Sequence, residues 1–178
     1  KTGTLTKGVF NVTAIHPDAC SENELIELAA LAECYSNHPI SRSLREAYGK
    51  DLDFSRVGET KEFAGRGVCT VVDGKNVCAG NDTLMDEIGV SWHPCHHIGT
   101  TVHIAVNGSY MGHVVISDEE KPDAGEAISL LKSQGIQKTV MLTGDAADVG
   151  QSVAKNLGVD EVYTQLLPGG KVQEVERL

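Results

Sequence analysis

The stretch TVMLTGDAADVGQSVAKNL, residues 139–157, decides the fold. Its apolar start, 139–142, predicts a short buried strand, and 146–157 has the apolar spacing of a helix. Thr143-Gly144-Asp145 forms the turn between them, at the carboxyl end of the strand. Parallel sheets bind ligands at that end, and a helix N-terminus beside it favours an anion, although an aspartate that merely caps the helix explains the turn equally well.

Helices and strands alternate on both sides of this stretch. A helix is predicted before it, at 123–133, and a strand at Val162-Tyr163 and a helix from Lys171 are predicted after it. This alternation is typical of a parallel sheet covered by helices. We therefore predict an α/β domain with a parallel sheet, formed by residues 1–13 and 117–178.

The middle of the chain has a different pattern. Helices are predicted from Ser21, which starts a capping box, and from Pro39, since proline is favoured at the first helical position. Asp73-Gly74 and Asn107-Gly108 are each flanked by β-prone residues and predict two hairpins. Residues 14–116 are thus expected to form an α+β domain with an antiparallel sheet, inserted into the split α/β domain.

Composition excludes some functions. The 178 residues have a net charge of −10, which argues against nucleic-acid binding as the main task. No run of eighteen apolar residues is present, so no membrane-spanning helix is predicted. The chain starts at Lys1 rather than at methionine, and we interpret it as part of a longer protein.

The cysteines are odd in number and scattered. None of them forms a C-x-x-C pair, and this usage is typical of reduced thiols in a reducing compartment. We therefore expect reduced side chains at Cys20, Cys34, Cys69, Cys78 and Cys95.

Three segments suit phosphoryl chemistry. The hydroxyl-rich segment KTGTLT, residues 1–6, could be an ordinary polar loop, but it resembles the sequence after the phosphorylated aspartate of P-type ATPases, D-K-T-G-T-L-T. Thr143-Gly144-Asp145 resembles the T-G-D motif of that family. Leu167-Pro168 with Lys171 resembles its L-P-x-x-K, although a lone lysine near a helix start is usually just solvated. Together the segments are similar to the haloacid dehalogenase-like catalytic core.

The resemblance implies roles around a phosphoryl group. Thr143 and Gly144 would hold its oxygens, Lys171 would neutralise an aspartyl phosphate, and the backbone of Thr2 would bind Mg²⁺. The implied catalytic residues are Lys1, Thr2, Thr4, Thr143, Gly144, Asp145 and Lys171. In the family an aspartate precedes Lys1 and a G-D-G-x-N-D loop follows later. We therefore expect the 178 residues alone to be inactive.

A second set of residues points to a subfamily. Ser36-Asn37-His38-Pro39 resembles the S-x-H-P motif of the heavy-metal P-type ATPases, and Glu33 stands five residues before the histidine. Gly65-Arg66-Gly67 matches their G-x-G and Gly80-Asn81 their G-N. By itself, a histidine before proline is most often a helix cap, and a glycine pair usually marks a turn.

The resemblance implies that this second set binds ATP. Glu33 would accept from the adenine amino group, His38 would stack on or hydrogen-bond to the nucleotide, and glycines would let the backbone approach it closely. The implied nucleotide-binding residues are Glu33, His38, Gly65, Gly67, Gly80 and Asn81. Asp118, followed by Lys121-Pro122, resembles a further family segment, or else caps the helix predicted at 123.

The resemblance identifies the chain as the ATP-binding and phosphorylation region of a heavy-metal P-type ATPase, closer to zinc/cadmium/lead exporters than to copper ones. It implies ATP as substrate, Mg²⁺ as cofactor, and transmembrane and actuator domains of the same protein as partners. It also implies a place on the cytoplasmic face of a membrane, a bacterial one by our interpretation. Two alternatives stay open: a haloacid dehalogenase-type phosphatase with a cap domain, and a non-catalytic nucleotide-binding module.

A histidine-rich segment lies outside these motifs. His93, Cys95, His96 and His97 follow one another closely, and His103 stands nearby. Imidazole and thiolate are zinc ligands, so these side chains could converge on a metal ion. Adventitious binding by a variable loop is the simpler interpretation.

Overall fold

The computed structural model describes residues 1–177. Contacts divide the chain into an outer unit, Lys1–Val9 with Asp118–Leu178, and an inner unit, Phe10–Ser117. The chain passes from one unit to the other within two strands, β1 (Thr6–Pro17) and β6 (Ser109–Glu120). That the outer unit is a phosphorylation domain and the inner unit a nucleotide-binding domain stays a prediction.

The inner unit is an antiparallel sheet with helices, as predicted. The elements between β1 and β6 are α1 (Glu22–Ala32), α2 (Pro39–Tyr48), β2 (Val57–Phe63), β3 (Gly67–Val72), β4 (Lys75–Gly80), α3 (Asp82–Glu87) and β5 (Thr100–Val106). The strands of the sheet follow the order β1-β6-β5-β4-β3-β2. One turn of 3-10 helix, Phe54–Arg56, precedes β2.

Local sequence signals account for the helix ends. Ser21 accepts a hydrogen bond from the Glu24 N–H at 3.2 Å, which is half of the predicted capping box. α2 begins at Pro39 and ends at Gly49, whose φ of 67° is the left-handed conformation of a helix C-cap. The helix starts predicted at Ser21 and Pro39 are confirmed.

α1 and the sheet enclose the main core of the inner unit. Large apolar side chains from helices and strands are fully buried there, among them Leu25, Leu31, Leu44, Val72, Val77 and Ile104. β2 adds little to this core, because nearly all its residues face solvent. Its sequence VGETKEF therefore lacks the alternation that predicts a strand, and sequence analysis missed it.

The expectation that all cysteines are reduced is wrong for one pair. Cys69 on β3 lies directly opposite Cys78 on β4, and the two are joined by a disulfide. The remaining cysteines, Cys20, Cys34 and Cys95, are free thiols. The predicted hairpin contains the signal: with Asp73-Gly74 at its turn, residues 69 and 78 fall opposite each other.

The outer unit is of the α/β type, as predicted. β7 (Val140–Leu142) pairs in parallel with β8 (Glu161–Tyr163). Its helices are α4 (Ala124–Ser133), α5 (Ala147–Leu157) and α6 (Pro168–Arg177). α4 and α5 pack with β7 on a small core of Ala124, Met141, Val153, Ala154 and Leu157. Within residues 1–177, no helix is long and apolar enough to cross a membrane.

Candidate functional site

A pocket of about 380 Å³ opens in the inner unit. It is bounded by the connection between α1 and α2, the turn between β2 and β3, the start of α3 and the start of β5. All six residues predicted to bind a nucleotide line it: Glu33, His38, Gly65, Gly67, Gly80 and Asn81. The structure thus brings together residues that are separated by as many as 48 positions in the sequence.

Glu33 and His38 are both held by local hydrogen bonds. Glu33 ends α1, and its Oε2 accepts from the Ser41 hydroxyl at 2.7 Å. His38 is the N-cap of α2, where its Nδ1 accepts from the Ile40 N–H at 3.2 Å. Because an accepting ring nitrogen carries no proton, the neutral ring has its N–H at Nε2, free to donate. The helix-cap interpretation of His38 and its place at the pocket are thus compatible.

Two glycines let neighbouring strands meet closely. Gly67 on β3 pairs with Gly80 on β4, and a Cβ at Gly67 would lie 2.2 Å from the Ala79 carbonyl oxygen. A Cβ at Gly80 would lie 2.3 Å from the Arg66 carbonyl oxygen. Glycine is therefore required here by the approach of one backbone to another, whether or not a ligand binds.

Asn81 holds the glycine turn in place. Its Nδ2 donates to the Gly65 carbonyl at 3.2 Å, and its Oδ1 accepts from the Leu84 N–H at 3.1 Å, which caps α3. Its backbone N–H also donates to the Arg66 carbonyl at 2.8 Å. With both ends of the amide engaged, Asn81 is suited to positioning the turn.

The pocket also contains residues that sequence analysis did not single out. β2 contributes Thr60, Glu62 and Phe63, and the connection after α1 contributes Tyr35. Arg66 lines the pocket as well, but its guanidinium is paired with Glu87. The β2 residues were missed together with their strand, so no local signal pointed to them.

In the outer unit, Lys1 of the predicted KTGTLT segment contacts Asp145 of the predicted T-G-D motif. The Lys1 Nζ lies 2.7 Å from the Asp145 Oδ2, and the Lys1 side chain is only 4% exposed. The Thr143 hydroxyl donates to the same carboxylate at 2.6 Å and accepts from the Asp145 N–H at 3.1 Å. The α-nitrogen of Lys1 is 3.3 Å from the Leu142 carbonyl oxygen, at the carboxyl end of β7.

Charges in this cluster are coupled. Burial by itself would raise the pKa of Asp145, but hydrogen bonds from Lys1 and Thr143 outweigh burial and the pKa lies below its usual value. Burial, followed by the positive charge of Lys171, lowers the pKa of the Lys1 α-amino group. The charge of Lys171 is therefore felt at the Lys1 α-amino group, where Asp145 has the opposite effect.

Asp118 does not cap the following helix. Its carboxylate accepts from the Thr6 hydroxyl and from the Gly8 N–H, the latter at 3.0 Å. The N-cap position of α4 is taken by Asp123. The helix-cap alternative for Asp118 is thus wrong. Thr2 and Thr4 are exposed, and Gly144 is exposed in the turn after β7.

A family model for haloacid dehalogenase-like hydrolases matches residues 1–178. The chain belongs to this family. The parallel β7–β8 pair, the turn at Thr143-Gly144-Asp145 and the antiparallel insert agree with the predicted fold class, which is confirmed.

The chain has close relatives among metal-transporting ATPases. It is 49% identical, over 100% of its length, to the zinc-transporting ATPase of Synechocystis, of which it covers 25%. It is 46% identical, over 100% of its length, to the cadmium, zinc and cobalt-transporting ATPase of Bacillus subtilis, of which it covers 26%. The chain thus spans about a quarter of each relative, and the predicted resemblance to heavy-metal P-type ATPases is confirmed.

A solved structure agrees in fold. The catalytic domain of the CPx-ATPase CopB-B, a protein described as changing conformation upon nucleotide binding, superposes with a TM-score of 0.75 at 27% identity. The superposition covers 100% of this chain and 64% of that one. The chain therefore matches the catalytic region of heavy-metal P-type ATPases.

Proposed function

We propose that this chain is the ATP-binding and phosphorylation region of a heavy-metal cation-exporting P-type ATPase of the zinc/cadmium/lead class. The observation that carries the proposal is the gathering of Glu33, His38, Gly65, Gly67, Gly80 and Asn81 around one pocket. The whole protein would be an ATP-driven translocase, with this region on the cytoplasmic face of a bacterial membrane. Its transmembrane and actuator domains would be the partners of this region.

The pocket suits the adenosine part of ATP rather than its phosphates. Glu33 and Glu62 bring negative charge to the lining, and the charge of Arg66 is compensated by Glu87. A triphosphate would be repelled there, so the base and ribose enter and the phosphates point outward. The Nε2–H of His38 can donate to the nucleotide, and the second oxygen of Glu33 can accept from the adenine amino group.

The cluster at the end of β7 suits the transferred phosphoryl group. In the family motif an aspartate is joined to the α-nitrogen of Lys1, which lies beside Leu142 and Thr143. Its carboxylate would attack the γ-phosphorus of ATP, forming an acyl phosphate and releasing ADP. Thr143 and Gly144 would donate to the phosphoryl oxygens, and Lys171 would offset their charge.

Magnesium needs more oxygen ligands than the described residues bring together here. The carboxylates of Asp118 and Asp145 already accept hydrogen bonds from Thr6, Gly8, Lys1 and Thr143. Mg²⁺ demands an octahedral set of oxygens, usually with carboxylates and substrate phosphates. The predicted backbone ligand Thr2 alone does not supply that set.

ATP binding is tested by replacing His38 with asparagine. Asparagine is a good N-cap, so α2 is expected to stay intact while the ring N–H is lost. We expect the Kd for ATP to rise about tenfold, the loss of one hydrogen bond of about 1.4 kcal/mol. NMR titration of the backbone amides with ATP measures the affinity and also identifies the residues that shift.

His96→Asn is the matched control, because His96 is exposed and lies in another loop. Its Kd should equal that of the unaltered chain. Shifts absent from the surroundings of His38 and Gly67, or equal affinities for the two variants, contradict the site. A phosphatase cap domain would bind small phosphomonoesters instead, so adenosine competing with ATP separates the two functions.

Phosphorylation is tested with γ-labelled ATP. We expect no acid-stable label on residues 1–178 alone, because the carboxylates of Asp118 and Asp145 are held by hydrogen-bond donors and Lys1. A longer chain that carries the preceding aspartate and the downstream loop should be labelled. Labelling of the short chain at the rate of the long one would show that catalysis does not depend on the added residues. A long chain that binds ATP without being labelled favours the non-catalytic nucleotide-binding module.

A further inference from the structure

Three potential metal ligands converge in the inner unit, outside the nucleotide pocket. They are His16 on β1, Cys95 in the loop between α3 and β5, and His113 on β6. One ligand atom from each lies within 4.8 Å of the other two. We call these residues the His-Cys-His cluster.

Two ring nitrogens of this cluster are buried without a partner. The Nε2 atoms of His16 and His113 make no hydrogen bond among the described residues, and the His113 side chain belongs to a residue that is only 8% exposed. A buried polar atom left unsatisfied costs about 1–3 kcal/mol, so such atoms require an explanation. A metal ion bound by both nitrogens would provide one.

A hydrogen-bonded chain orients His113 toward the cluster. The Tyr110 hydroxyl lies 3.0 Å from the His113 Nδ1 and 2.8 Å from the His103 Nδ1. A hydroxyl has one proton, so it can donate to His103 while accepting the Nδ1–H of His113. This tautomer leaves a lone pair on the His113 Nε2, and metal-binding histidines are typically held in this way through their other nitrogen.

The strands bring the two histidines together through a glycine. Gly112 precedes His113 and has a φ of 134°, and a Cβ there would lie 2.3 Å from the His16 carbonyl oxygen. The close approach of β1 and β6 places the His16 and His113 rings 4.9 Å apart. The His97 ring lies 4.7 Å from that of His16, at the open side of the cluster.

We propose that His16, Cys95 and His113 bind one transition-metal ion of the zinc type, with His97 or water as the fourth ligand. Imidazole nitrogens and a thiolate are the preferred ligands of Zn²⁺, whereas Mg²⁺ and Ca²⁺ require oxygens. Zn–N and Zn–S bonds of about 2.0–2.3 Å place neighbouring ligand atoms roughly 3.5 Å apart in a tetrahedral site. The ligand atoms of His16, Cys95 and His113 lie within 4.8 Å of one another, so the distances between them must shorten by about 1 Å to form that site.

The proposal differs from the histidine-rich loop predicted from sequence. Of that loop, Cys95 belongs to the cluster and His97 lies beside it, while His96 is exposed and the His93 ring packs against Tyr110. His16 and His113 are far away in sequence and gave no local signal.

The site would tie the loop after α3 to the two long strands of the sheet, and it needs neither ATP nor transport. Failure of this proposal therefore leaves the proposed function unaffected.

The test is titration of the full 178-residue chain with Co²⁺ in oxygen-free buffer without added reductant, so that the Cys95 thiol stays free and the Cys69–Cys78 disulfide stays intact. We expect one Co²⁺ per chain, a tetrahedral visible spectrum and a thiolate-to-cobalt charge-transfer band. Cys95→Ser should abolish the band. His16→Gln and His113→Gln should each weaken Zn²⁺ binding, measured by displacement of Co²⁺, at least tenfold. Tyr110→Phe should weaken it by about 10–100-fold, because it removes the group that orients His113.

His96→Gln is the matched control, because His96 is exposed in the same loop, and it should change the affinity less than twofold. An equal loss in this control and in the cluster variants would mean adventitious binding by the loop and would overturn the proposal. So would a cobalt spectrum without the thiolate band. If His113→Gln does not fold, Cys95→Ser still decides the outcome, because Cys95 lies in a loop and is half-buried.

Discussion

Gly67→Ala is expected to lower the free energy of unfolding by about 4 kcal/mol, from overpacking and backbone strain together. The new Cβ would lie 2.2 Å from the Ala79 carbonyl oxygen and 2.5 Å from the Gly80 Cα. Both are backbone atoms, which cannot rotate away from a clash as a side chain can. The φ of Gly67, 143°, is moreover one that alanine rarely adopts. Because the strands must separate at the pocket, ATP binding is expected to be lost as well.

Gly74→Ala is the matched control for stability. Gly74 also has a positive φ, 76°, but a Cβ there meets nothing within 4 Å. Its substitution therefore measures the backbone penalty alone, about 1 kcal/mol. Urea unfolding of both variants gives the comparison. A difference of less than about 1 kcal/mol between them would mean that β3 and β4 relax without cost, contrary to the close packing of the two strands.

Asp145→Ala is expected to lower the free energy of unfolding by about 2–3 kcal/mol, because it leaves a buried Lys1 ammonium without its partner. The Lys1 side chain is 4% exposed, but the Asp145 side chain is 32% exposed. Solvent therefore screens part of the interaction, and the expected loss of free energy is small for a buried ion pair. Lys1→Met in the same chain should recover most of the loss. A double-mutant cycle by urea unfolding isolates the coupling between the two residues.

The exposed pair Lys7–Glu119 is the internal control, with side chains 38% and 46% exposed. Glu119→Ala should cost no more than about 1 kcal/mol, as surface ion pairs usually do. The pKa of Asp145 is lowered on folding, so its contribution to stability is fully present above the unfolded pKa of about 3.9 and is lost as pH falls through the lower pKa of the folded state. The coupling free energy between Lys1 and Asp145 should therefore be larger at pH 7 than at about pH 2.5, which lies well below the unfolded pKa of about 3.9. A coupling that is no larger at pH 7 would contradict this assignment.

Much of the fold could be predicted because its signals are local. The Ser21 cap, Pro39 at the start of α2 and Gly49 at its end each act within one helical turn, and the two hairpins depend on their turn residues. β2 could not be predicted in this way. It is an edge strand with a polar, mostly exposed middle, and its pairing with β3, rather than its own composition, makes it a strand.

The candidate nucleotide site was predicted residue by residue from a resemblance, and the structure brings those residues to one pocket. What each side chain does there depends on neighbours that sequence does not reveal. Asn81 uses one amide N–H on Gly65 and its amide oxygen on Leu84, and His38 uses one nitrogen to cap α2. Their remaining capacity for a ligand follows from those hydrogen bonds.

By itself, then, the sequence determined the order of the helices and of every strand except β2, the inserted arrangement and the family, since these depend on periodicity, turn residues and short motifs. Tertiary structure alone decided which distant groups meet. The Lys1–Asp145 pair joins residues 144 positions apart, and the His-Cys-His cluster draws on two strands and a loop. Such contacts arise when strands pair and helices pack, so no local window of sequence contains them. The disulfide between Cys69 and Cys78 lies between these cases, because a predicted turn placed the two residues opposite each other and only the paired strands joined them.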